Sequence, residues 1–128
     1  MKKECINPKG LMRRPSYSHV VKVGNTVYIA GQVARDEKGN VVGAGDFRAQ
    51  VDKVFSNLQI ALKSVGATLD NVVCTTTYLT NMAYRPVMAE MTIKYFGTEN
   101  QPPATWVMVF SLAEPEFLLE LQAIAVVD

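Results

Sequence analysis

With 128 residues, 48% of them hydrophobic and 20% charged, the chain has the length and composition of one folded domain, 1–128, able to bury a core without disulfide or metal staples. A formal net charge of +1 without a basic run argues against a nucleic-acid partner. No apolar run is long enough to cross a bilayer and Met1–Pro8 lacks a signal-type apolar segment, so no membrane partner is expected.

Two cysteines, Cys5 and Cys74, make no disulfide framework and suit a reducing, cytoplasmic compartment. With a single histidine and no CxxC or HxxxH spacing, no metal site is expected.

Residues 1–16, carrying Pro8, Gly10 and Pro15, read as irregular. Ser18–Val23 and Thr26–Val33 read as strands joined by Gly24-Asn25, a dipeptide suited to a two-residue hairpin with glycine first. A turn at Asp36–Asn40 leads to a short strand at Val41-Val42. Asp46 is a good N-cap for a helix whose apolar stripe runs Phe47, Val51, Val54, Phe55, Leu58, Ala61, Leu62 and Val65, with Gly66 ending it.

Val72–Leu79 predicts a strand, and a second helix begins near Pro86 and stops at Gly97. Pro102-Pro103 introduces a strand at Thr105–Phe110, and Phe117–Val127 forms the last. The order β-β-(β)-α-β-α-β-β predicts an α+β domain, a mixed six-stranded sheet with both helices on one face. The uncovered face, taken to include Val20, Ile29 and Leu121, is expected to associate with other subunits.

Glu120 interrupts the most apolar stretch of the chain, Phe117–Val127. An ionised carboxylate is costly to bury without partners, so it marks either a wet strand face or a polar pocket. His19 reads as a hydrogen-bonded structural residue, and Trp106 as core or interface. The glycines open no helix in a phosphate-cradling loop, which excludes a nucleotide site of that type. Tyr17 before the first strand, Ala30-Gly31-Gln32 at the end of the second, Pro103-Ala104-Thr105 and Glu120 remain as specific placements. Gly31 allows close approach to the backbone.

In order, Tyr17-Ser18-His19, Ala30-Gly31-Gln32-Val33, Gln50 with Asn57-Leu58, Val65-Gly66-Ala67, Tyr95-Phe96, Pro103-Ala104 and Leu119–Ala125 resemble the Rid (YjgF-like) family of reactive-intermediate deaminases. The resemblance runs from Tyr17 to Val126. It implies a chorismate-mutase-like fold, a homotrimer with small-molecule clefts between subunits, and hydrolysis of imines or enamines to carbonyl compounds and ammonia without metal or cofactor. Glu120 matches the family's water-positioning glutamate, Tyr17 its cleft tyrosine and Gly31 the glycine facing the ligand.

The match has one conspicuous gap. Thr105 stands where the family has its carboxylate-binding arginine, followed by Trp106 in place of serine, and Ala30 replaces a frequent cleft serine. Loss of a bidentate guanidinium from a desolvated cleft costs on the order of 2–5 kcal/mol. The expected substrate is therefore not a simple α-imino acid, and a neutral or cationic ligand suits a cleft left with Glu120 alone.

In the enzyme reading Thr105 supplies a hydroxyl beside the Glu120-held water, and Arg14 is a candidate displaced cation. In the alternative, a non-catalytic binding or regulatory trimer, Trp106 and Tyr17 wall the ligand. Endoribonuclease activity, attached to some relatives, ranks last because nothing in the chain is strongly basic.

Overall fold

The computed structural model describes Met1–Asp128. Six strands form one sheet: β1 (Lys3–Ile6), β2 (Val20–Val23), β3 (Thr26–Gln32), β4 (Val72–Leu79), β5 (Ala104–Met108) and β6 (Leu119–Val126). Their spatial order is β1-β2-β3-β6-β4-β5, with β4 and β5 parallel and every other pair antiparallel. Two helices, α1 (Phe47–Lys63) and α2 (Arg85–Phe96), cover one face.

Helix α1 forms where the sequence pattern places it. The Asp46 side chain accepts from Ala49 N–H at 3.0 Å, capping the first turn. The stripe Phe47, Val51, Val54, Phe55, Leu58, Ala61 and Leu62 is buried against the sheet. The helix closes at Ser64, and Gly66 then takes a φ of 72°, the left-handed conformation in which glycine has no steric penalty. In the β2–β3 turn Gly24 adopts a φ of 59°, as its first position requires.

Three expectations need correction. The sixth strand is not Val41-Val42, where only an isolated bridge joins Arg35 to Val41; it is β1, in a segment read as irregular. Lys3-Glu4-Cys5-Ile6 carries no hydrophobic alternation because it is an exposed edge strand, held by its backbone ladder to β2.

The third correction concerns orientation. Val20, Ile29 and Leu121 do not lie on the uncovered face; all are buried in the core beneath the helices. The uncovered face instead carries the residues paired with one another on the opposite side of the pleat, among them Tyr28 with Ile124, and Tyr78 with Glu120 and Val107. Cys74, opposite Ile124, is half-buried there.

Candidate functional site

Between the antiparallel strands β3 and β6 the register slips. Ile29 pairs with Ala123, but Gln32 pairs with Leu121, so β3 carries one extra residue. This bulge lets Ile29 and Gln32 both bury on the helix side although they are three apart, and it turns Ala30 and Gly31 toward a cleft. Glu120, on β6, lies directly over Gly31. A Cβ added at residue 31 would stand 2.7 Å from the Glu120 Cδ and 2.9 Å from its Cγ. The missing side chain is what admits the carboxylate.

Glu120 is half-buried and accepts no hydrogen bond from the protein. Burial raises its carboxyl above the ordinary value of 4.5. It borders an open pocket of about 330 Å³ with Tyr17, Ala30, Gly31, Arg35 and Phe117. A half-solvated carboxylate with free lone pairs and an elevated proton affinity can orient water and accept a proton from it.

Helix α1 fixes both walls of this pocket. The buried Gln50 side chain donates from Nε2 to the Gly43 and Glu116 carbonyls at 3.2 and 2.7 Å, and its Oε1 accepts from Leu118 N–H at 2.9 Å. That clamp sets the start of β6 and hence Glu120. Asn57 Nδ2 donates to the carbonyls of Val33 and Arg35, both at 3.0 Å, pinning the chain just past the bulge. Side chains held by such partners arrive at a site preorganised.

His19, which directly precedes β2, is structural. Its Nε2 donates to the Met12 carbonyl at 2.6 Å and its Nδ1 lies 3.1 Å from Gln32 Nε2, which holds the ring in place. With Tyr17, Gln32, Arg35 and Asn57 it borders a small space of about 20 Å³ that shares Tyr17, Gly31 and Arg35 with the pocket. Tyr17, 43% exposed, packs edge-on against the His19 ring and lines both spaces.

The remaining candidates separate. Thr105 is exposed on β5 and, paired with Thr76, shares the uncovered face with Glu120. It lies two strands and two residues away, about 12 Å by ordinary sheet spacings, so within one protomer the two cannot touch the same small molecule. Trp106 points to the other face, lining a groove with Met82, Arg85 and Pro86 of the α2 region. Arg14 is half-exposed in the loop before Tyr17 and lines neither of the two spaces beside Gly31.

The residue that sequence reasoning missed is Arg35. Without it the cleft seemed to hold no cation near Glu120, yet Arg35 lines the same pocket, with its guanidinium carbon 5.0 Å from the centre of the Phe117 ring. Its position just beyond the bulge is the one available signal, since strand periodicity stops there.

The family model described as Endoribonuclease L-PSP matches residues 11–127. A RutC family protein of Pyrococcus abyssi is 36% identical over 109 residues, 85% of this chain and 84% of that one. A protein of Acinetobacter baylyi named 3-aminoacrylate deaminase RutC is 30% identical over 98% of each chain. The crystal structure of YyfA, a Rid family protein of Yersinia pestis, superposes with a TM-score of 0.92 at 26% identity, covering 98% of this chain and 100% of that one. The chain belongs to the Rid (YjgF-like) family, whose matching model bears the description Endoribonuclease L-PSP.

Proposed function

We propose that this protein hydrolyses an imine or enamine metabolite to a carbonyl compound and ammonia, using a water positioned by Glu120. The observation that carries the reading is a half-buried carboxylate without protein hydrogen bonds, its proton affinity raised by burial, lying across a glycine in an open pocket. An enamine is first protonated at carbon to give the imine. Glu120 then accepts a proton from water as its oxygen adds to the C=N carbon. Returning that proton to nitrogen gives the carbinolamine; a second transfer through Glu120, from the carbinol O–H to nitrogen, lets the C–N bond break as the C=O bond forms, leaving the carbonyl compound and ammonia. A carboxylate with a raised pKa suits these transfers.

The activity named for the Acinetobacter relative supports the reaction class. Thr105 in the arginine position favours a substrate other than a small α-imino acid, with its hydroxyl contributing to the cleft from a neighbouring copy. The separation of Thr105 from Glu120, and the exposed Tyr28, Val107 and Val126 on the uncovered face, support assembly as a homotrimer in which two protomers complete each cleft.

The test is ammonia release from 2-aminoacrylate and from 3-aminoacrylate, each generated in situ. Acceleration over spontaneous hydrolysis is expected, greater for the second. Rates indistinguishable from buffer for both would refute the reading.

A further inference from the structure

We propose that Arg35 is the substrate's anion anchor, taking over from the β3 side of the cleft the role that Thr105 cannot fill. The inference rests on the hydrolase reading and narrows its substrate to an imine or enamine bearing an anionic group, a carboxylate above all. That group would lie toward Arg35 and Phe117 rather than toward β5.

A guanidinium has five N–H donors and always carries its charge. The Arg35 side chain is 12% exposed, yet within the protein it makes one hydrogen bond, Nη2 to Glu114 Oε1 at 3.5 Å. That distance is the outer limit of hydrogen bonding, and the Glu114 side chain is 46% exposed. Arg35 Nε is buried with no partner at all. Burying a cation is costly unless anions and acceptors satisfy it, and one long contact to a half-solvated carboxylate does not.

The face of Phe117 supplies some compensation through the ring's quadrupole. Phe117 also gives the guanidinium an apolar neighbour on one side. The N–H donors that the protein leaves unpaired are those a substrate carboxylate would take. Asn57 holds the Arg35 carbonyl and Gln50 holds the chain on both sides of Phe117, so cation and ring are fixed from the same helix.

The same pocket is also lined by Glu120, Gly31 and Tyr17. An anionic substrate meets a cation at one side of the pocket and the water-bearing carboxylate at the other. This arrangement removes the like-charge objection that Glu120 alone would raise.

The experiment is calorimetric binding of two non-reacting probes, acetoacetate and its uncharged counterpart acetoacetamide, to the wild type, Arg35→Gln, Arg35→Lys and Glu114→Gln. Wild type should prefer acetoacetate at least 10-fold. Arg35→Gln should bind the two equally, and Arg35→Lys should keep part of the preference.

Glu114→Gln alters only the half-exposed partner, so it guards against failure of the Arg35 variants to fold. By freeing the guanidinium it should tighten acetoacetate binding about 2- to 5-fold and leave acetoacetamide unchanged. Equal affinity of wild type for both probes, binding of neither, or no tightening in Glu114→Gln overturns the proposal. No turnover enters these readings. Loss of the probe preference with ammonia release intact removes the anchor alone, and the reverse pattern removes the hydrolase reading alone.

Discussion

Gly31→Ala tests how closely function depends on the contact between β3 and Glu120. The added methyl would lie 2.7 Å from the carboxyl carbon of Glu120. Carbon atoms attract best at about 3.5–4.0 Å, so the carboxyl group must withdraw about 1 Å. Gly31 does not use a positive φ, so alanine brings no backbone strain, and the carboxylate can swing toward the open pocket.

The expected outcome is a folded protein whose stability changes by less than about 1 kcal/mol. Displacing a reacting group by 1 Å should lower kcat/KM on the order of 100-fold. Thermal melting by circular dichroism and continuous detection of ammonia provide the two readings. A second variant, Gly31→Ala with Glu120→Gln, should be no slower than Glu120→Gln alone, because both changes act through one carboxylate. Full activity in Gly31→Ala would refute the role given to this contact.

Further outcomes follow from individual residues. Burial raises the Glu120 carboxyl, so the folded chain holds that proton to higher pH than the unfolded chain; the resulting stability is present below the ordinary value of 4.5 and lost as pH rises through the folded value. Glu120→Gln should therefore melt above wild type at pH 7 and together with it at pH 4, and a lower melting temperature at pH 7 would contradict the burial argument. Gln50→Ala leaves the Leu118 N–H and the Gly43 and Glu116 carbonyls without their partner, and should cost about 2–4 kcal/mol in urea unfolding. Thr105→Arg adds a guanidinium to the uncovered face and should raise turnover of 2-aminoacrylate about 10-fold; no gain would place the determinant elsewhere in the cleft.

The elements with strong local patterns were legible in the sequence. The α1 stripe from Phe47 to Leu62, its Asp46 cap, the Gly24-Asn25 turn and the α2 stop at Gly97 each depend on residues near one another in the chain, and each stands as read, while Val65 falls just past the helix end. Failures arose where a partner decided the outcome. Strand β1 exists because β2 offers it a backbone ladder, and no periodicity in Lys3–Ile6 announces that. Period-two alternation groups residues by face but does not say which face the helices take, and so Val20, Ile29 and Leu121 were placed on the wrong side.

The site divides along the same line. Glu120 stood out because a charge in an apolar strand demands a reason, and Gly31 because a strand glycine does. Their contact required the bulge at Ala30-Gly31, which is a property of the β3–β6 pairing. Arg35 escaped notice because it follows that bulge, in a segment whose shape is set by Asn57, 22 residues away in α1. An arginine four positions beyond a strand glycine is ordinarily solvated; here tertiary structure buries it.

The central claim is that the Glu120 carboxylate, rather than the pocket as a whole, performs the hydrolytic step. Its most direct test is single-turnover ammonia release by wild type and Glu120→Gln, measured side by side on the enamine that wild type accelerates most. The variant retains shape and gains no charge, so the account expects release at least about 100-fold slower with the fold intact. Equal rates in the two proteins would contradict it.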